Sequence, residues 1–148
     1  AYDPRAIKGN GVTYATSPQG ADHTCGNCIR AEIDHLSPEG QVEVSRDAQI
    51  KMAGYDTLGA CLFGGFGFAS APGALRDLIN GRYGWGVDDD VLYDLGKITL
   101  DLEIEFNHAA GFGPEDNRLP EWMKTEELPP FNTVFDVPND QLDSIFNW

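Results

Sequence analysis

The sequence predicts a mainly α fold, an irregular helical domain with long loops. Three observations lead there. Apolar residues recur at helical spacing in three segments between Pro38 and His108, and runs that alternate apolar and polar residues are almost absent. The flanking stretches are rich in Gly, Pro and Asn and hold no sustained period. At 148 residues and 41% apolar composition, the chain is one domain by length and can bury a core of its own. We divide it into a loop-rich part over 1–37, a helical core over 38–110 and a wrapping tail over 111–148.

Residues 1–37 read as polar, exposed loop with at most a short turn of helix. From Pro38 to about Leu58 a helix is predicted, with Pro38-Glu39 as its first turn and an imperfect apolar face of Val42, Ala48, Ile50, Met52 and Ala53. Gly59 falls where that helix would end. A second helix runs from about Pro72 to Arg82, with Leu75, Leu78 and Ile79 on one face and Gly81 to Gly86 as its stop. A third is the strongest signal in the chain. Asp88-Asp89-Asp90 supplies an N-cap and first-turn acids, and Leu92, Leu95, Ile98, Leu102 and Phe106 follow as its face, to about Asn107 or His108. Asn139 to Ile145 reads as a last short helix.

The formal net charge of −14, from 24 acidic and 10 basic residues, opposes nucleic acid and anionic membrane surfaces as partners. No apolar run approaches the roughly 20 residues that span a bilayer. Three cysteines, Cys25, Cys28 and Cys61, are an odd number behind no apolar leader, which argues against a disulfide framework and for a reducing, cytoplasmic setting. The chain opens without Met inside a turn-like Asp3-Pro4-Arg5, so we expect it to be part of something larger.

Two constellations hold chemistry. His23-Thr-Cys25-Gly-Asn-Cys28 gathers three metal-type ligands in six residues, and a structural zinc would need a fourth from Cys61, His35 or His108. A redox dithiol would want a strand before the motif and a helix after it, and neither is predicted. Two ordinary loop cysteines are the plainer reading. Asp56-Thr-Leu-Gly59-Ala-Cys61 sets a carboxylate, a glycine and a thiol at a predicted helix end, where bare backbone lets a ligand approach. Gly64 to Phe68 extends that bare backbone beside phenylalanines that exclude water. The alternative is a buried helix end with Cys61 as a small apolar filler. Asp88-Asp89-Asp90 lacks the spaced oxygens of a calcium loop, and helix capping accounts for it. Ser17, Ser37, Ser45 and Ser70 sit in no nucleophile elbow.

Three stretches together resemble the C-terminal part of the tungsten-containing aldehyde ferredoxin oxidoreductase family, in order and spacing along almost the whole chain. They are Tyr2-Asp3-Pro4-Arg5 with "GNGVTYATSPQGADH" over 9–23, "DTLGAC" over 56–61 as a D-x-x-G-x-C motif, and "LEIEFNHAAGFGPEDNRLPEWM" over 102–123. The resemblance implies a C-terminal helical segment of a larger oxidoreductase that oxidises aldehydes to carboxylic acids and passes electrons to ferredoxin or a similar carrier. It implies tungsten or molybdenum held by two pterins beside a [4Fe-4S] cluster, both needing further polypeptide. By position, Cys61 resembles the fourth cluster ligand, and Asp56 with Gly59 and Ala60 resembles the arm that hydrogen-bonds one pterin. His23 resembles the histidine near the metal, a residue type suited to carrying a proton. Cys25 and Cys28 lack the family's C-x-x-C-x-x-x-C spacing, and we place them as loop cysteines beside a substrate channel. The glycine- and Trp-Asp-containing tail of some members is not seen before Trp148. A free-standing zinc-stabilised binding module built on His23, Cys25, Cys28 and Cys61 is the alternative function, and a scaffold that has lost its chemistry is a third.

Overall fold

Two glycines decide how the longest helices meet. In the computed structural model, which describes residues 2–148, α2 (Gln41–Thr57) packs on α5 (Val91–Ala109) closely enough that backbone touches backbone. A Cβ placed on Gly54 would strike the carbonyl oxygen of Leu92, and one on Gly96 would strike that of Ile50. This contact sets the rotation of α5. The helix buries Val91, Gly96 and Leu100, while Ile98, Leu102 and Phe106 point outward at 57%, 62% and 73% exposure. The expected face of Leu92, Leu95, Ile98, Leu102 and Phe106 is therefore corrected. Leu92 and Leu95 are half-buried and the other three are outside, because periodicity groups residues on a face without saying which face finds a neighbour.

The second correction concerns residues 1–37. Lys8–Thr16 forms α1, and seven of its nine residues are buried. Its sequence, KGNGVTYAT, holds two glycines and little apolar periodicity, so propensity argues against a helix and tertiary packing overrides it. Neighbours hold it from every side. Lys8 Nζ pairs with Asp136 at 2.5 Å, Asn10 Oδ1 accepts from the Cys28 amide at 2.7 Å, and Val12 is fully buried. The rest of 1–37 is loop with one 3-10 turn at His23–Cys25.

The principal apolar cluster is Val12, Val42, Leu119, Phe135, Val137, Leu142 and Ile145. Of the span read as helical core, only Val42 belongs to it. The rest comes from α1 and from residues 119–145. The tail over 111–148 contains a 3-10 turn at Pro114–Asp116, α6 (Trp122–Thr125) and α7 (Asn139–Asp143), and a bidentate Arg118–Asp143 pair at 2.5 and 3.1 Å ties its ends. Thr133 donates to the Arg5 carbonyl at 2.6 Å, which returns the tail to the start of the chain.

Smaller differences have local causes. α2 begins at Gln41 rather than Pro38, because Gly40 is left-handed at φ 72° and Gln41 donates to the Asp34 and Ser37 carbonyls instead. α4 (Ala74–Tyr83) buries Ile79 and half-buries Leu75, but leaves Leu78 exposed. Asp88-Asp89-Asp90 does not cap α5 through a side chain: Asp88 accepts from the Asp90 amide and Asp89 from Arg76. Gly64 to Phe68, read as bare backbone, lie inside the helix α3 (Leu62–Ala69). Its Phe63 is 75% exposed, and nothing approaches the open sides of Gly64 and Gly67. Among the described residues there is no strand, only an isolated bridge between Leu128 and Thr133, and no helix is long and apolar enough to cross a membrane.

Gly96→Ala forces α2 and α5 apart and lowers unfolding stability by about 1–3 kcal/mol or more. Gly81→Ala, in open space on α4, is neutral or stabilises by up to about 1 kcal/mol. Chemical denaturation of the two variants checks the contrast.

Candidate functional site

The turn from α2 to α3 gathers four of the five expected site residues. Asp56 lies in the last turn of α2, and Gly59, at φ +66°, reverses the chain in a conformation that favours glycine. The Gly59 amide donates to the Asp56 carbonyl at 2.9 Å and the Ala60 amide to the Tyr55 carbonyl at 2.9 Å, so the turn is closed by its own backbone. Cys61 follows in extended conformation as the N-cap of α3, its carbonyl accepting from the Gly64 amide at 2.8 Å while its thiol is exposed. Nothing stands within 4 Å of the open side of Gly59. The surface therefore offers a soft ligand, a carboxylate and an uncovered backbone within one turn.

His23 opens the 3-10 turn, capped by Asp22. Its Nδ1 lies 3.7 Å from Asp22 Oδ1, an ion pair when the imidazole is protonated, and the Tyr2 ring meets it edge-on at 5.5 Å. The hydroxyl and amide of Thr24 both donate to Asp22 and hold its carboxyl below the usual range. That charge reaches Asp56. Partial burial, and then the Asp22 carboxylate, push the Asp56 carboxyl up; burial and the Asp56 charge do the same to Glu103 on α5. Electrostatics thus couples the end of α2 to the loop of His23.

Cys25 and Cys28 are buried. Cys25 Sγ donates to the Asp22 carbonyl at 2.6 Å, and burial pushes both thiols up, that of Cys28 to about 11. Cys25 lines a small cleft shared with Asp56, Gln49 and Glu103. The zinc alternative is corrected here: Cys25 and Cys28 are buried while Cys61 is exposed, and among the described residues no group of three or more His, Cys, Asp or Glu is placed to hold a metal ion.

A larger cleft of about 510 Å³ lies between residues 14–20, the end of α1 and the loop after it, and residues 104–118, with Phe146 at one side. Asn107 donates to the Pro18 carbonyl at 2.8 Å across it. Parts of the first and third motif stretches, far apart in the chain, thus face each other.

Gln49 and Glu103 were missed by the sequence reading. One signal was available: Gln41, Ser45 and Gln49 recur every four residues on α2 and are all buried, a polar stripe where core residues belong. Glu103 carried no signal, since nothing distinguishes it from the other acids of α5.

The family model described as aldehyde ferredoxin oxidoreductase, domains 2 and 3, matches residues 1–144, and the chain belongs to that family. It is similar to the tungsten-containing aldehyde ferredoxin oxidoreductases of Pyrococcus furiosus, at 33% identity, Thermococcus kodakarensis, at 31%, and Pyrococcus abyssi, at 30%, each over 138 residues. Each match covers 87% of this chain and 22% of the relative, so the chain spans about a fifth of the length of the curated relatives it matches.

The buried Cys28 thiol has a measurable consequence. It ionises near 9.0 when exposed and at about 11 when folded, so the folded state keeps a proton that the unfolded state gives up. The stability tied to that proton is present in full below pH 9 and is lost as pH rises toward 11. Urea unfolding across this window shows a steeper decline for the unaltered chain than for Cys28→Ala, the two profiles differing in slope by roughly 2–3 kcal/mol overall.

Proposed function

We propose that this chain is the C-terminal helical segment of a bis-pterin, tungsten or molybdenum, iron–sulfur oxidoreductase that converts aldehydes to carboxylic acids, with ferredoxin or a similar carrier taking the electrons. The observation that supports it most is the turn from Asp56 to Cys61, which presents an exposed thiol, a carboxylate and an open left-handed glycine together. The residues fit the groups they would hold. Cys61 would donate its thiolate to one iron of a [4Fe-4S] cluster, and Asp56 would accept from the N–H edge of a pterin while the bare side of Gly59 and the Ala60 backbone admit the ring. The metal, when bound, supplies the two-electron chemistry, and the cluster carries electrons onward.

The chain's own part is binding, orientation and proton handling. Oxidation of an aldehyde to an acid takes an oxygen from water and releases two protons with the two electrons. His23, with its Nδ1 facing Asp22, would take up one of those protons as imidazolium. Asp22, kept ionised by Thr24, steadies the charged ring. Residues 1–37 are the active-site part in this reading, 38–110 its helical support and 111–148 the wrap that closes the fold. The setting is cytoplasmic, and the partners are the aldehyde, the carrier and the remainder of the polypeptide. Alone the segment is inactive, because one thiol cannot hold a cluster and one arm cannot hold a metal.

Expressing the 148 residues and the full-length enzyme side by side with tungstate or molybdate checks this. Only the full-length protein carries iron and reduces dye with aldehyde. Cys61→Ala lowers its iron content and abolishes the cluster signal, and His23→Asn lowers turnover by about 10²–10⁴-fold with metal content kept. Aldehyde oxidation by the segment alone, or indifference to Cys61→Ala, would falsify the assignment.

A further inference from the structure

Ile98, Leu102 and Phe106 lie four residues apart, so they form one ridge about 12 Å long on α5, on the side away from Gly96 and Leu100. Ridges of this spacing are the ones that seat in the groove of a neighbouring helix. α2 occupies the opposite side, and each of the three side chains is more than half exposed. Three large apolar side chains in line are more than the scattered single ones that a protein surface tolerates. Asp94, Asp101 and Glu105 border the ridge along one flank and are exposed as well. Among the described residues no cation lies within ion-pair distance of any of these acids. Asp101 and Glu105 stand one turn apart, a like-charge pair that destabilises a helix left to itself. An apolar ridge edged with unpaired acids is complementary to an apolar helix face edged with Lys or Arg.

We propose that this ridge is a permanent intramolecular seam, covered in the full-length protein by an apolar helix face of the same polypeptide that carries Lys or Arg opposite Asp101 and Glu105. The inference rests on the reading of this chain as one segment of a longer enzyme, and it adds the surface by which the segment is held. The matched span is 22% of each relative, which leaves the greater part of such a protein to supply the cover. A second copy of this chain is a poor match. It carries the same net charge of −14, and apposed α5 ridges would set Asp101 and Glu105 against the same acids. The seam also accounts for the pattern of α5, which has a glycine-bearing side for α2 and an apolar side for a second neighbour.

The test starts from the unaltered full-length protein. Hydroxyl-radical footprinting reads the access of Leu102 and Phe106, comparing folded with urea-unfolded protein at two protein concentrations. Both side chains are expected to be oxidised about tenfold more slowly in the folded protein at either concentration, as in the dry centre of an interface. Oxidation at the unfolded rate overturns the proposal, and so does protection that disappears on dilution, which marks a second copy as the cover. Glu105→Lys then reads the charge of the rim. On a free surface it would raise the melting temperature, because it turns a repulsive pair with Asp101 into an attractive one and adds a cation near the helix C-terminus. Against a cationic rim it is expected to lower the melting temperature by a few degrees. An unchanged or raised melting temperature overturns the proposal. Iron content and aldehyde-dependent dye reduction of the same unaltered preparation keep the two readings apart: a protected ridge in a protein that has neither leaves the seam standing and overturns the enzyme assignment.

Discussion

The fold turns on the backbone contact between α2 and α5, where the carbonyls of Ile50 and Leu92 occupy the space that side chains at 96 and 54 would need. Because glycine alone fits, the rotation of α5 about its axis is set by sterics and not by its most apolar face. Three consequences follow. Leu100 is buried beside Gln49 and Ala53 of α2, Glu103 comes to the same cleft as Asp56, and the stripe of Ile98, Leu102 and Phe106 is left outside. The end of α2, and with it the turn that presents Cys61, is thereby held by packing rather than by its own short-range bonds alone.

A second layer of order is polar. α2 meets α1 and the loop of Cys28 through Gln41, Ser45 and Gln49, with the Thr13 hydroxyl between Ser45 and the Gly26 carbonyl. Hydrogen bonds are directional where apolar contacts are not, so such a seam fixes register as well as proximity. It also carries the loop that ends in Asp22 and His23. The ionised Asp22 and the partly desolvated Asp56 and Glu103 make a locally acidic end on a chain already at −14, a field that favours donors and cations and disfavours further anions.

Much of this was legible in the sequence. The mainly α class, the positions of α2, α4, α5 and α7 to within a few residues, and the stop at Gly59 all follow from periodicity, caps and glycine chemistry. The D-x-x-G-x-C stretch does fall at a helix end. What was not legible has physical causes. α1 is a helix held by partners more than a hundred residues away, including Asp136 and Ile145, and local propensity cannot report such partners. The buried face of α5 depends on Gly54, an element away. α3 gains its form beside Tyr55, whose ring stacks on Phe68 at 6.1 Å. The buried amide of Gln49 depends on the hydroxyls of Thr13, Thr16 and Ser45, which only the assembled fold brings together.

The core joins the two ends of the chain, and this has a bearing on time. Lys8 with Asp136, Arg5 with Thr133, and Val12 with Phe135 are all separations of more than 120 residues. Closing such contacts carries a large loop-closure entropy before any burial offsets it, so a fold of this topology forms late. During synthesis, α2 and α5 can associate as soon as both have left the ribosome, while α1 waits for the last turn of the tail. The contact between α2 and α5, and the turn that ends α2, can therefore be in place before the two ends of the chain close the apolar cluster.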